Sequence, residues 1–161
     1  MPSIFIFDLD DTTVDSSHRT KLNADGSINL NHWRRFCTAE NILRDSMLPL
    51  AGKMIEGIAD GLDIVILTSR VMGKADIAWL KMRGMIAPTI LSRSVADDRP
   101  TGEYKLARLH DLAIMRKMSF SDLTRKIIMW DDCKNVQNVL GNAGVRVIDP
   151  VQYNLNQKKE A

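Results

Sequence analysis

Short apolar segments alternate with helix-like segments along most of this 161-residue chain. Segments rich in Ile, Val and Phe predict five strands, at residues 3–7, 63–67, 89–91, 126–130 and 146–148. They are apolar on both faces, which is typical of central strands covered by helices on each side. Between them apolar residues recur at helical spacing, as Leu50, Met54 and Ile58 do. Other helices are expected at 74–83, 103–117 and 134–142. The alternation predicts an α/β fold, a three-layer α/β/α sandwich with a mainly parallel, five-stranded, Rossmann-like sheet.

The stretch from residue 13 to residue 45 interrupts this alternation. It contains no clear strand, and its Asn-Ala-Asp-Gly sequence is a strong turn signal. Asn31 is expected to cap a short helix that carries Trp33 and Phe36 on one face. We therefore expect a single domain over residues 1–161, with a small cap-like insertion at 13–45 that forms a lid or brace over the site.

The composition, with 45% hydrophobic and 26% charged residues, is that of an ordinary globular protein. A net charge of +2 neither implies nor opposes nucleic-acid binding. Two cysteines, Cys37 and Cys133, are too few for a disulfide framework or a cysteine zinc site. The first apolar run stops at Asp8, too early for a signal peptide, and no run reaches the roughly 20 apolar residues of a membrane helix. These features predict a cytoplasmic protein with no membrane partner.

Polar residues follow three of the predicted strands, at the edge where parallel sheets bind their ligands. They are Asp8-Leu9-Asp10-Asp11-Thr12 after the first strand, Thr68, Ser69 and Arg70 after the second, and Asp131 and Asp132 after the fourth. Lys105 opens the helix that precedes the fourth strand. Crowded carboxylates raise one another's pKa unless a cation neutralises them. Oxygen ligands without histidine or thiolate suit a hard ion, so the cluster predicts Mg²⁺ as cofactor.

The same residues favour phosphoryl transfer. Thr68 can offer a hydroxyl donor and Lys105 a point charge to phosphate oxygens. One aspartate is then free to attack phosphorus, because carboxylates form aspartyl-phosphate intermediates. Each residue also has an ordinary structural alternative. Asp131 or Asp132 could cap the following helix, and Lys105 could be a common helix-start lysine.

The pattern resembles the four motifs of the haloacid dehalogenase (HAD) superfamily. Asp8-Leu9-Asp10-Asp11-Thr12 is similar to its D-x-D-x-T signature, and the run from Ile64 to Thr68 resembles the second motif. Lys105 resembles the third motif, and Asp131-Asp132 the acidic fourth. Order and spacing agree over essentially the whole chain. The resemblance implies a HAD-like phosphatase with its first strand at the centre of the sheet.

The resemblance also implies roles for individual residues. Asp8 is expected to be the nucleophile, and Asp10 the general acid/base that protonates the leaving oxygen and later activates water. Thr12 is expected to shape the loop, in which Asp11 stands where many relatives have glycine. The remaining roles are metal binding by Asp8, the Asp10 carbonyl, Asp131 and Asp132, and phosphate binding by Thr12, Thr68, Ser69, Arg70 and Lys105.

A finer resemblance narrows the substrate class. Ser17-His18-Arg19, Thr68-Ser69-Arg70 and Asp98-Arg99-Pro100 look like segments of small phosphatases related to the phosphatase domain of phage polynucleotide kinase–phosphatase. That domain removes 3′-phosphates from nucleic-acid ends; the kinase half has no counterpart here, since no phosphate-binding kinase loop is present. Arg19, Arg70 and Arg93 could bind a second phosphate or could be surface charges. Trp33 could stack on a base or could pin the insertion to the core.

Three functions follow, and none needs an obligate protein partner. The first is a Mg²⁺-dependent phosphomonoesterase acting on the 3′-phosphorylated ends of nucleic acids. The second is a phosphatase of free nucleoside monophosphates, which should gain nothing from neighbouring phosphates. The third is a non-catalytic regulator that binds Mg²⁺ and phosphate. The intact pair of Asp8 and Asp10 argues against the regulator, because a pure binder does not need the second acid.

Overall fold

The computed structural model describes residues 1–160. Its strands are β1 (Ile4–Phe7), β2 (Val14–Asp15), β3 (Ser46–Met47), β4 (Asp63–Leu67), β5 (Thr89–Leu91), β6 (Ile127–Trp130) and β7 (Val147–Ile148). Its helices are α1 (Leu30–Phe36), α2 (Ala39–Leu43), α3 (Leu50–Ala59), α4 (Lys74–Met82), α5 (Thr101–Met115), α6 (Phe120–Lys126), α7 (Lys134–Asn142) and α8 (Val151–Glu160). A 3₁₀ turn covers Ser17–Arg19.

The main sheet is parallel and has the strand order β5-β4-β1-β6-β7. In its centre, Phe7 of β1 is level with Ile66 of β4 on one side and with Trp130 of β6 on the other. The residues after these strands, Asp8 and Asp131 among them, therefore meet at one edge of the sheet. The predicted α/β sandwich with the first strand central is confirmed.

Two apolar cores lie on opposite faces of the sheet. One includes Leu109 of α5, Leu123 of α6 and Val136 of α7. The other includes Met54 of α3 and Trp79 of α4. The alternating inward residues of β1 contribute to both cores, which is why this strand reads as a continuous apolar run. None of the helices within residues 1–160 combines the length and the apolar character that crossing a membrane requires.

The stretch 13–45 differs from its prediction in two details. It does contain a strand, because β2 pairs antiparallel with β3 just beyond the stretch. The cap of α1 is Asn29 rather than Asn31, and its side chain accepts a hydrogen bond from the amide of His32 at 2.9 Å. Both asparagines can cap a helix; the helix begins at Leu30, so only Asn29 stands in the capping position.

Candidate active site

Asp8 begins a tight loop directly after β1. The amides of Thr12, Thr13 and Val14 all donate to the carbonyl of Leu9, at 2.8–3.1 Å. The Thr13 hydroxyl donates to the carbonyl of Asp8 at 2.8 Å. Asp11 has a φ of +60°, the left-handed region that favours glycine and that aspartate tolerates better than most residues. The departure from glycine at Asp11 is thus compatible with the turn.

Asp8, Asp131 and Asp132 form a carboxylate cluster between the ends of β1 and β6. One oxygen from each lies within 4.8 Å of the others. The Nζ atom of Lys105, on α5, lies 2.8 Å from Asp8 Oδ1 and 2.6 Å from Asp131 Oδ2. All but Asp132 are buried, so water screens their charges weakly. Three carboxylates and one ammonium leave a net negative charge in this pocket.

The pKa directions reflect this crowding. Burial raises the pKa of Asp8 well above its usual range, Lys105 opposes the rise, and Asp131 and Asp132 add to it. Burial raises the pKa of Asp132 to about 7, with Asp131 and Asp11 contributing. A divalent cation would relieve this repulsion, and an all-oxygen donor set fits Mg²⁺. The residues present therefore fit the metal that the sequence predicted.

Thr12 joins the two halves of the cluster. Its hydroxyl oxygen lies 3.4 Å from Asp8 Oδ2 and 3.3 Å from Asp132 Oδ1. The same oxygen accepts a hydrogen bond from the amide of Asp132 at 3.2 Å. Thr12 is completely buried. It therefore sets the distance between the loop after β1 and the loop after β6.

The Asp10 carboxylate lies outside this cluster and is bound by Arg70. Arg70 Nε donates to Asp10 Oδ2 at 2.7 Å, and Nη2 donates to Oδ1 at 2.6 Å. The Ser16 hydroxyl donates to Oδ1 at 2.7 Å. Burial raises the pKa of Asp10, but Arg70 and Ser16 outweigh it, so the pKa is lowered. Asp10 is therefore ionised in this arrangement.

Arg70 is surrounded by carboxylates. Besides Asp10, it binds Asp76 through Nη1 at 2.9 Å and Asp45 through Nη2 at 3.1 Å. Its side chain is only 4% exposed. Each nitrogen of the guanidinium therefore already has a carboxylate partner. In this arrangement Arg70 holds Asp10 in place.

Asp45 connects this network to the stretch 13–45. Arg19 binds its two oxygens with Nε and Nη2, at 2.9 and 2.8 Å. His18 Nε2 lies 2.8 Å from Asp45 Oδ1. The Trp33 ring stacks on the guanidinium of Arg19, 4.2 Å from its carbon. Trp33 thus packs against the arginine–aspartate network beside Asp10.

The residues that follow β4 are held mainly by hydrogen bonds with backbone groups. The Thr68 hydroxyl accepts from the amide of Arg70 at 3.1 Å, and the Thr68 carbonyl accepts from the Tyr104 hydroxyl at 3.1 Å. The Ser69 hydroxyl oxygen is buried and has no hydrogen-bond partner among residues 1–160. Arg93 donates to the carbonyl of Ser69 and to two other backbone carbonyls, so it ties loops together.

The structure brings Asp8, Thr12, Lys105, Asp131 and Asp132 into direct contact, and places Asp10 and Arg70 beside them as a pair. Sequence reasoning missed the partners Asp45, Asp76, Ser16 and Tyr104. It also missed Asn154, whose side chain donates to the carbonyl of Thr12 at 3.0 Å. No short motif marks them, because each acts through a contact that depends on the tertiary fold. Burial of a charged residue such as Asp45 is visible only in the structure.

Comparisons with known proteins identify a family for this chain. A family model described as bacteriophage T5 5′-deoxynucleotidase matches residues 1–158. A 5′-deoxynucleotidase from Escherichia phage T5 is 31% identical over 86 residues, which are 51% of this chain and 35% of that protein. The chain thus matches about a third of the length of this curated relative.

Solved structures of low sequence identity share the fold. A HAD-like hydrolase from Streptococcus pneumoniae has a TM-score of 0.67 at 14% identity, covering 92% of this chain and 84% of that one. A HAD-superfamily hydrolase from Geobacter sulfurreducens has a TM-score of 0.64 at 12% identity, covering 92% and 89%. A chain of the Pnkp1/Rnl/Hen1 complex has a TM-score of 0.63 at 17% identity, covering 93% and 45%. The predicted resemblance to HAD phosphatases is confirmed in the fold, and this chain belongs to the family described as bacteriophage T5 5′-deoxynucleotidase.

Proposed function

We propose that this chain hydrolyses the 5′-phosphate of deoxynucleoside monophosphates. The observation that carries the proposal is the buried Asp8 carboxylate at the end of β1, held by Lys105 beside Asp131 and Asp132. Membership of a family described as 5′-deoxynucleotidase supports the substrate class. The sequence alone favoured 3′-phosphorylated nucleic-acid ends, and that function is the second candidate. Its structural support is the likeness to Pnkp1, which concerns the fold.

Asp8 is the proposed nucleophile. An Asp8 carboxylate oxygen forms a bond to phosphorus while the bond from phosphorus to the O5′ of the nucleoside breaks. Water then attacks the aspartyl phosphate, which releases phosphate and restores Asp8. Mg²⁺ held by Asp8, Asp131, Asp132 and the Asp10 carbonyl would neutralise phosphate charge. Lys105 both stabilises the ionised form of Asp8 and offers its ammonium to the phosphate oxygens.

Asp10 is the proposed proton carrier. Because Arg70 lowers its pKa, Asp10 is a carboxylate in this arrangement and carries no proton for the leaving O5′. Giving a proton to O5′ requires the protonated carboxyl, so Asp10 must first leave Arg70 and take up a proton from solvent. It gives this proton to O5′ as the bond from phosphorus to O5′ breaks, and it takes a proton back from the water that attacks the aspartyl phosphate. We therefore expect Asp10 to exchange Arg70 for the substrate during the cycle. In this account Arg70 positions Asp10, and it does not bind the phosphate as the sequence predicted.

The phosphate-binding roles of Thr68 and Ser69 remain part of the proposal. Both follow β4, the strand that pairs with β1, so they lie at the same edge of the sheet as Asp8. The unpartnered Ser69 hydroxyl has its hydrogen-bonding capacity free. A phosphate oxygen would satisfy it, and this is the chemistry expected of a group that receives the substrate phosphate.

The test is phosphate release from a substrate panel, with Mg²⁺ and with EDTA. The panel holds a 5′-deoxynucleotide, the matching 5′-ribonucleotide, a 3′-deoxynucleotide and a 3′-phosphorylated oligonucleotide. Asp8→Asn is the inactive variant, and Asp60→Asn, an exposed aspartate after α3, is its matched control. The proposal predicts the highest kcat/KM for the 5′-deoxynucleotide, lost with EDTA and in Asp8→Asn. A preference for the oligonucleotide would overturn this proposal and favour the second candidate, removal of 3′-phosphates from nucleic-acid ends.

A further inference from the structure

Asn154 carries a buried side-chain amide on helix α8. Among residues 151–160 it alone is buried, with 6% of its surface exposed. Its Oδ1 accepts the amide hydrogen of Leu50 at 2.8 Å, and its Nδ2 donates to the carbonyl of Thr12 at 3.0 Å. One partner is an N–H and the other a carbonyl, so the two contacts fix which end of the amide carries nitrogen.

These bonds join segments far apart in the chain. Asn154 is 142 positions from Thr12 and 104 from Leu50. Leu50 is the first residue of α3, so its amide has no partner within that helix. The Thr12 carbonyl belongs to the tight loop that carries the proposed acid/base. A single side chain therefore ties α8 to both.

Thr12 carries the effect of Asn154 into the cluster. Its carbonyl is held by Asn154, and its hydroxyl lies between Asp8 Oδ2 and Asp132 Oδ1. Because the residue is fully buried, movement of the carbonyl also moves the hydroxyl. Loss of the Asn154 bond should therefore displace the two carboxylates relative to each other.

We propose that Asn154 is a positioning residue: it fixes Thr12 and, through Thr12, the spacing of Asp8 and Asp132. The catalytic part of this inference rests on the proposed function, whereas its effect on the loop does not. A displacement of about 1 Å at a reacting centre can cost up to a hundredfold in rate, so kcat is the sensitive quantity. KM should respond less, because Asn154 does not touch the substrate.

The test compares two substitutions with a matched control. Asn154→Asp keeps an oxygen for the Leu50 amide but sets a second oxygen against the Thr12 carbonyl. Asn154→Leu removes both bonds and keeps the number and branching of the side-chain heavy atoms. Asn156→Asp makes the same chemical change at an exposed position of α8, where the side chain bonds only to Gln152 among residues 1–160. Steady-state kinetics are measured well below each melting temperature, and amide hydrogen exchange is followed on all four proteins.

The proposal predicts that Asn154→Asp and Asn154→Leu lower kcat at least tenfold, with KM changed less than threefold. It also predicts at least tenfold faster exchange for the amides of Thr12, Thr13 and Val14, and unchanged exchange in β1. Asn156→Asp should match the natural chain. Unchanged exchange in that loop, or a kcat that falls only with the folded fraction, would overturn it. If the natural chain hydrolyses nothing, the proposed function fails, and loop exchange still decides whether Asn154 holds Thr12.

Discussion

Arg70 binds both carboxylate oxygens of Asp10, at 2.7 Å through Nε and 2.6 Å through Nη2. This two-point contact orients the carboxylate as well as neutralising it. A lysine could neutralise the carboxylate but could not bind both of its oxygens in this fixed geometry. Asp45 and Asp76 fix the guanidinium in turn. The guanidinium of Arg70 therefore fixes the position of Asp10, the proposed acid/base, and keeps it ionised until substrate arrives.

Arg70→Lys tests the importance of the two-point contact between Arg70 and Asp10. Lysine keeps the charge but cannot bind both oxygens of Asp10, so we expect kcat to fall about hundredfold as Asp10 loses its orientation. The measurement is steady-state hydrolysis of a 5′-deoxynucleotide. Arg125→Lys, at an exposed arginine on α6 that pairs with Asp122, should leave the rate unchanged. Equal rates for Arg70→Lys and the natural chain would show that Asp10 does not need the two-point contact with Arg70.

Asp45→Asn tests the buried network. Arg19 and Arg70 would both lose their shared carboxylate in a buried setting, and breaking such a pair costs about 3–5 kcal/mol. Urea unfolding should report a loss of this size. Asp60→Asn, at an exposed aspartate, is the control. A loss below about 1 kcal/mol would mean that Asp45 contributes no more than a surface ion pair.

Gly102→Ala tests the placement of Lys105 by α5. A Cβ atom at Gly102 would lie 2.6 Å from Asn135 Oδ1 and 2.8 Å from a Val139 methyl carbon, so the start of α5 must shift away from α7. We expect a loss of about 1–3 kcal/mol in unfolding free energy and reduced activity, because Lys105 is one turn away.

Gly141→Ala is the matched control for that substitution. Gly141 also lies on a helix, α7, and a Cβ there would have no atom within 4 Å. Replacing it should stabilise the protein by up to about 1 kcal/mol through helix propensity, with no change in activity. Equal stability changes at the two glycines would contradict the tight packing between α5 and α7.

The stability of the metal-free protein should depend on pH in a specific direction. The pKa of Asp132 is raised to about 7 by burial, with Asp131 and Asp11 contributing, whereas an unfolded aspartate titrates near 3.9. Between these values the folded chain holds a proton that the unfolded chain has lost, so the free energy of unfolding falls as pH rises. Asp132→Asn should flatten this slope in thermal melts with EDTA.

Mg²⁺ should reverse this trend, because it competes with protons for the same carboxylates. At pH 7.5 and a hundred times its Kd, it should stabilise the fold by about 2.7 kcal/mol, roughly 5–10 °C in Tm. The measurement is the melting temperature with and without Mg²⁺, with Asp131→Asn as the variant that should lose the response. An equal shift in that variant would place the cation elsewhere.

The sheet and the carboxylate cluster could be predicted from the sequence because they depend on local patterns. An apolar run followed by Asp8-Leu9-Asp10 marks a strand end, and parallel strands bring their ends together. α8 was not predicted as a helix, since its only buried residue within 151–160 is the polar Asn154. Val151 and Leu155, one helical turn apart, are both exposed, and the helix continues to Glu160.

The partners of the site could not be predicted for a related reason. Arg70 reads in the sequence as a phosphate ligand, because arginine commonly binds phosphate. Its three carboxylates, Asp10, Asp45 and Asp76, come from different segments, and only the fold brings them together. Asn29 and Asn31 show the same limit on a smaller scale, since either can cap a helix and the start of α1 decides between them.

The measurement that tests the central claim most directly is transfer of the phosphate to Asp8. The enzyme is mixed with a 5′-deoxynucleotide carrying radioactive phosphate, quenched in acid within one turnover, and digested for mapping. We predict label on the peptide that contains Asp8, absent with EDTA and in Asp8→Asn. Phosphate release without labelled protein in any of these samples, or label on another residue, would contradict the account.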